Sequence, residues 1–367
     1  MSSMAMKTVI GDHGAAHKGR GATLNPEGRF ETDAREEFDD GWETPLEEAP
    51  DRPRTVVTVE RARSIISRNQ SPDVPFTQSI NPYRGCEHGC IYCYARPSHA
   101  YLNLSPGLDF ETRLFAKTNA AELLLEELAR PGYTCDSITI GANTDPYQPV
   151  ERQWKITRAI LEVLAACNHP CAIITKNAMV ERDLDILAPM AAKNLVQVYI
   201  SVTTLDQEIA RRMEPRASAP ARRIAAIRRL AQAGVPAGVM VAPVVPFLTD
   251  SGIEAVLEAA RDAGAERAGY TLMRLPWEVK DLFKDWLEHN FPLKAAHVMS
   301  RVRDMRDGRE NDPNFGSRMR GAGEMADLLS KRFQMACHRL GLNLVRRGPS
   351  DVSKFRAPRL DRQMDLF

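Results

Sequence analysis

The chain has 367 residues, 43% of them hydrophobic, which supplies a full-sized core and excludes wholesale disorder. The formal net charge of +1 hides an asymmetry: residues 1–60 carry 7 Lys+Arg against 13 Asp+Glu, and residues 301–367 carry 15 against 9. The basic end suits an anionic partner such as nucleic acid, or is simply solvated surface.

The opening MSSMAMKTVIGDHGAAHKGRG has no apolar core of signal-peptide length. The most apolar run, Ala237 to Leu248, is too short to span a bilayer and holds two prolines. A cytoplasmic location is expected, with no membrane partner. Thiols stay reduced there, so seven cysteines point to metal binding, catalysis or burial rather than disulfides.

Residues 1–50 are rich in Gly, Pro and acid without a sustained apolar period, and read as a flexible acidic tail. Over 51–277 short apolar runs alternate with amphipathic stretches. The predicted strands are Thr77–Tyr83, Ser137–Ala142, Cys171–Thr175, Val196–Thr203, Gly238–Val245 and Gly269–Arg274. They are β-branched and apolar on both faces, as buried parallel strands are. Helical patterns lie between them at Asn119–Ala129, Trp154–Ala166, Glu181–Ala192, Ala219–Ala233 and Ile253–Ala263. The expected fold is α/β: a partial (β/α)6, TIM-like barrel, whose catalytic groups sit at the C-terminal ends of the strands. A helical extension, 278–345, is broken at Arg306–Gly323 and is either a cap over the barrel mouth or an appended module. Residues 346–367 read as a basic flexible tail.

The central signal is Asn81-Pro82-Tyr83-Arg84-Gly85-Cys86-Glu87-His88-Gly89-Cys90-Ile91-Tyr92-Cys93-Tyr94-Ala95, directly after the first predicted strand. Thiolates of Cys86, Cys90 and Cys93 at that spacing can wrap one cubane cluster, and three ligands for four irons leave one iron open. The bland alternative is structural zinc on the same cysteines with His88 or His99 as fourth ligand. No second CxxC or HxxxH pair completes such a site. The other cysteines, Cys135, Cys167, Cys171 and Cys337, are expected to be buried.

At these residues the chain resembles the radical S-adenosylmethionine (SAM) superfamily, whose mark is CxxxCxΦC with an aromatic Φ, here Tyr92. The stretch Asn81–Ala95 and the later Thr144-Asp145-Pro146-Tyr147 are most similar to its spore photoproduct lyase-related branch. The resemblance covers roughly residues 78–290. It implies a 4Fe-4S cluster whose open iron chelates SAM, an electron donor such as flavodoxin or ferredoxin, and reductive cleavage to a 5′-deoxyadenosyl radical that takes a substrate hydrogen.

The resemblance also nominates cofactor contacts. Tyr92 lies in the motif, and Gly141, Asn143 and Asp145 close the second strand where the superfamily meets the SAM amino group. The same residue types suit a plain strand-to-helix turn. Lys176 and Ser201, on the third and fourth strands, can pair with the SAM carboxylate or ribose. Arg216 resembles an arginine near the cofactor. Tyr270 and Arg274, on the last strand, can line the substrate cavity. Spore photoproduct lyases use a cysteine near strand two as hydrogen-atom donor. Ala142 and Asn143 occupy the comparable stretch here, and that departure separates this chain from the specific lyase reaction.

The chain ends Gln363-Met364-Asp365-Leu366-Phe367. These five residues resemble the peptide by which bacterial replication and repair proteins dock on the DNA sliding clamp: two adjacent apolar anchors and a register-fixing glutamine. The expected function is radical SAM chemistry, lyase-like and directed at DNA in repair. Radical modification of RNA or protein is the second reading, and a non-catalytic zinc- or cluster-binding adaptor the third.

Overall fold

The protein's computed structural model describes residues 19–30, 53–344 and 351–359. Strands β1 (Val56–Glu60), β2 (Ile66–Arg68), β3 (Gln78–Ile80), β4 (Tyr83–Arg84) and β5 (Arg113–Lys117) come first. They are followed by β6 (Ile138–Ile140), β7 (Cys171–Thr175), β8 (Val196–Ser201), β9 (Ala237–Val244) and β10 (Arg267–Leu272). Among the helices, α1 (Leu108–Thr112), α2 (Ala120–Leu128), α3 (Glu151–Trp154), α4 (Ile156–Ala166), α5 (Leu184–Ala192) and α6 (Gln207–Met213) lie in the first part. Then come α7 (Pro220–Gln232), α8 (Ile253–Asp262), α9 (Val279–Asn290), α10 (Pro292–Asp304) and α11 (Glu324–Leu340).

The main sheet runs β10-β9-β8-β7-β6-β3-β2, and every neighbouring pair from β3 to β10 is parallel. Six parallel strands in chain order, each followed by helix, form the partial TIM-like barrel that the alternating pattern predicts. Its strands are short because both faces must be apolar: Ile140, Ile173, Val198, Ile200 and Val239 are fully buried. Each such side chain contributes about 1.5–3 kcal/mol of transfer free energy. Helix α4 buries Ile156, Ile160, Leu161 and Leu164, one stripe at helical spacing.

The structure corrects several boundaries. The strand expected over Thr77–Tyr83 stops at Ile80, because Pro82 has no N–H for the ladder. Tyr83 and Arg84 instead pair antiparallel with β5, in a second sheet of order β1-β5-β4 that periodicity did not reveal. The helix expected from Trp154 starts at Ile156, after Lys155 takes a φ of +53°. The one expected from Glu181 is a 3-10 turn over Ala178–Asp183 before α5 begins. Within the stretch read as a flexible tail, Arg20, Ala22 and Thr23 are buried. The rest of 1–50, apart from 19–30, lies outside the described residues.

The C-terminal stretch is corrected in the same way. Residues 351–359 dock on the barrel, with Arg356 N–H donating to Cys167 O (2.8 Å) and Phe355 edge-on to His169 (5.2 Å). The clamp-like peptide, 363–367, lies outside the described residues.

Helices α9 and α10 share one apolar cluster with the cysteine loop and the strand ends: Ile91, Tyr92, Val245, Leu275, Phe283 and Trp286 belong to it. The break after α10 is bonded to the end of β10, through Leu272 N–H to Met319 O (3.0 Å) and Arg306 Nη2 to Met273 O (2.7 Å). The first part of the extension is therefore built into the barrel mouth, while α11 packs on α8 outside. Among the described residues no helix is long and apolar enough to cross a membrane.

Candidate functional site

The cysteine loop leaves β3 at the strand's C-terminal end and folds on itself. Cys93 N–H donates to Cys90 O (3.2 Å), Cys86 N–H to Phe110 O (2.9 Å) and Ile91 N–H to Met213 O (3.1 Å). Its outer wall is a buried clamp. The Arg96 guanidinium donates from Nε to Cys90 O (3.0 Å), from Nη1 to Pro106 O and Gly107 O, and from Nη2 to Glu111 Oε1 (2.5 Å). The Glu111 carboxylate also accepts from the N–H groups of Gly21 and Ala22, each at 2.9 Å. Gly89 has a φ of +65°, and a Cβ there would lie 2.7 Å from Glu111 Oε2. Gly21 faces it so closely that a Cβ would fall 1.8 Å from Gly89 O. The segment at 20–23 thus closes over the loop, a role its composition hides.

Cys86 and Cys90 are buried and Cys93 is half-buried. Burial pushes the Cys86 thiol up, helped by the charge of Asp145 and by Cys90 and Cys93. Burial likewise pushes Cys90 up to about 12, with Lys176 opposing. Buried thiols such as Cys86 and Cys90 need a cation beside them to ionise, and iron would supply it.

Among the described residues no three His, Cys, Asp or Glu side chains gather closely enough to hold one metal ion. In a cubane each thiolate binds its own iron, so the sulfurs need not converge on one point. Of the proposed fourth ligands, His88 Nδ1 lies 3.3 Å from Asp145 Oδ2, and His99 bonds Arg113 O through Nε2 (2.9 Å) while its Nδ1 has no hydrogen-bond partner among the described residues.

Behind the loop lies a second buried ionic group. The Tyr92 hydroxyl donates to Glu214, whose other oxygen takes Arg223 Nη2. Thr203 Oγ1 donates to Glu214 Oε1 (2.7 Å), and Arg223 Nη1 to Ser201 O (3.0 Å). Lys176 Nζ stands 5.7 Å from the Tyr92 ring centre. Burial opposes its charge, but Cys90 and Glu214 outweigh that and raise the ammonium above its usual range. Tyr92, Lys176 and the Ser201 carbonyl are thereby brought together around Glu214 and Arg223.

The other nominated residues are placed as follows. Asp145, after β6, is bonded to the end of β7: Oδ1 accepts from Thr175 Oγ1 (2.7 Å) and Oδ2 from Lys176 N–H (2.7 Å). Burial raises its pKa, but His88 and these donors overcome that and hold it at about 2. Gly141 ends β6, where a Cβ would fall 2.4 Å from Ile174 O. Asn143 is exposed, its N–H donating to Asn81 Oδ1 (2.8 Å). Arg216 pairs with Glu87 of the cysteine loop (3.0 Å) and its N–H donates to His88 O (3.2 Å). Tyr270 lies under α11 against Phe333, ring centres 4.6 Å apart, rather than free at the mouth. Arg274 stands 5.8 Å from the Tyr94 ring centre, and the Tyr94 hydroxyl donates to Ala142 O.

Sequence reasoning missed Arg96, Glu111, Glu214 and Arg223, because buried charges carry no local signal. Only Glu214 had one, as neighbour of the Pro215-Arg216 turn. Cys167, Cys171 and Cys337 lie in the core and form no second site.

Comparison with known proteins agrees with this geometry. An uncharacterized protein of Mycobacterium tuberculosis is 36% identical over 269 residues, 72% of this chain and 77% of its own. One of Methanocaldococcus jannaschii is 25% identical over 232 residues, 63% and 82% of the two chains. Spore photoproduct lyase complexed with dinucleoside spore photoproduct has the same fold, with a TM-score of 0.56 at 15% identity over 78% of this chain and 80% of that one. The model of the Radical SAM superfamily matches residues 80–260, the barrel with its three-cysteine loop, and the chain belongs to that superfamily.

Proposed function

We propose that this radical SAM enzyme acts on nucleic acid, with DNA as the first candidate. The observation that carries the reading is the shared fold with a lyase whose structure holds a dinucleoside photoproduct, over 78% of this chain. The basic charge of residues 301–367 and the clamp-like peptide Gln363–Phe367 support it. That peptide would bring the enzyme to DNA through the sliding clamp, and an acidic one-electron carrier such as flavodoxin or ferredoxin would reduce it.

When bound, the cluster and SAM supply a 5′-deoxyadenosyl radical by one-electron cleavage of the sulfonium. The chain's own residues do the rest. Cys86, Cys90 and Cys93 hold the cluster, Lys176 offers a cation to an anionic group of SAM, and Asp145 fixes the strand ends around it. The apolar wall of α9 and α10 excludes water from the mouth. Lyase-type repair remains the first reaction to test, although Ala142 and Asn143 stand where the lyases carry their donor cysteine. A different hydrogen source is then required.

The test is anaerobic reconstitution with iron and sulfide, followed by SAM and dithionite, against a variant carrying Cys86→Ala, Cys90→Ala and Cys93→Ala. The native protein should form 5′-deoxyadenosine and the variant none. Irradiated DNA and irradiated RNA are then compared as substrates by mass spectrometry. Change in RNA alone would transfer the reading to RNA, and change in neither would remove nucleic acid as the substrate.

A further inference from the structure

Six aromatic side chains are exposed among the described residues: Phe30, Tyr94, Tyr101, Phe247, Trp277 and Phe315, from 47% for Phe247 to 71% for Tyr101. Four of them follow the C-terminal ends of barrel strands. Tyr94 and Tyr101 follow the cysteine loop, Phe247 follows β9 and Trp277 follows β10. Phe315 lies in the segment bonded to the end of β10, and Phe30 stacks on Tyr101 with ring centres 4.9 Å apart. The exposed apolar side chains of α11, Leu328 and Met335, are aliphatic by contrast.

Arginines stand against these rings. The Arg29 guanidinium carbon is 4.2 Å from the Trp277 ring centre and 5.4 Å from that of Phe30. Arg318 is 4.4 Å from Phe315, and Arg274 is 5.8 Å from Tyr94. Glu278 and Asp73 hold the first two guanidinium groups in place. Arg274 Nε, like that of Arg29, is buried without a hydrogen-bond partner, but among the described residues it faces no carboxylate of the Glu278 kind; its Nη1 makes a long contact with Met319 Sδ (3.6 Å).

Exposed rings cost free energy in a monomer, and the grouping of Phe30, Tyr101 and Trp277 around Arg29 marks a binding surface. Rings interleaved with guanidinium planes bind splayed bases by stacking and take phosphate between them. Aromatic and arginine side chains also serve protein interfaces, and the basic charge of residues 301–367 favours a polyanion here. We infer that the mouth carries a stacking platform for single-stranded nucleic acid, in which Trp277, Tyr101 and Phe30 receive bases and Arg274 receives a phosphate. This rests on the nucleic-acid reading above and deepens it: a duplex would have to open, because stacked bases present no free faces to the rings and the cysteines lie below the rim.

The test uses reconstituted full-length protein and fluorescein-labelled (dT)12 and (rU)12, read by anisotropy. Alanine at Trp277, Tyr101 or Phe30 should weaken binding roughly 5- to 150-fold each. Trp277→Phe should keep most of the affinity, and Met335→Ala on α11 should change nothing. Arg274→Ala should lower the salt slope by about one charge. The two oligonucleotides distinguish DNA from RNA. Native binding that the ring variants leave unchanged would overturn the platform and leave the nucleic-acid reading standing. Absence of native binding to either oligonucleotide would overturn both. Urea midpoints equal to wild type show that each variant is folded.

Discussion

Replacing Glu111 with glutamine keeps the side chain's shape and removes its charge. In the native protein Glu111 and Arg96 are both fully buried, 2.5 Å apart. The carboxylate accepts three hydrogen bonds, from Arg96 and from the N–H groups of Gly21 and Ala22. Bonds to a charged group contribute about 1.5–3 kcal/mol each, against a desolvation cost of several kcal/mol per ion. These terms largely cancel in the intact pair, but Glu111→Gln leaves the Arg96 guanidinium buried without a counter-charge. The expected loss is about 3–5 kcal/mol. Because Arg96 also holds Cys90 O, iron retention should fall with stability. Urea unfolding of apo and reconstituted protein, with iron and sulfide counted per chain, reads both effects. Replacing the pair together, Arg96→Met with Glu111→Met, should cost less than either single change. A Glu111→Gln protein within about 1 kcal/mol of wild type and fully loaded with iron would refute the clamp, since that is the scale of an exposed ion pair.

Gly89→Ala places a methyl group 2.7 Å from Glu111 Oε2 on a backbone with φ of +65°. The left-handed conformation alone costs about 1–2 kcal/mol. Iron per chain after gel filtration should drop, and full loading at unchanged stability would contradict the close packing. His169 is buried, its Nδ1–H donating to Pro170 O (2.9 Å) and its Nε2 2.8 Å from the Tyr133 hydroxyl. Burial lowers its pKa from 6.5 to about 4, so the neutral form stabilises the fold. That contribution is complete above pH 6.5 and is lost as pH falls through 4, worth about 3 kcal/mol across the window. The stability gap between wild type and His169→Asn should therefore narrow from pH 7 to pH 4. A gap independent of pH would sink the assignment.

The strand–helix alternation was legible because it is local. Runs such as Cys171–Thr175 and Val196–Ser201 must be apolar on both faces to lie inside a parallel sheet, and that pattern survives in one dimension. The cysteine loop was legible for the same reason, since a cluster held by three thiolates sets their spacing within eight residues of chain. The second sheet was not, because β1 and β5 pair across more than fifty intervening residues and are half-exposed.

Charged residues were the hardest to place. Glu111, Arg96, Glu214 and Arg223 read from sequence as ordinary surface, where such residues usually are. Only folding brings Glu111 to Arg96 and to the chain at 21–22, and Glu214 to Tyr92 and Arg223. The grouping of Phe30, Tyr101 and Trp277 around Arg29 is tertiary for the same reason, since they come from segments far apart in the chain. Composition, periodicity and motif spacing determined the barrel and its three-cysteine motif, because each depends on interactions within a few residues. Which charges are buried together, and which rings share a rim, depended on long-range packing that no local pattern encodes.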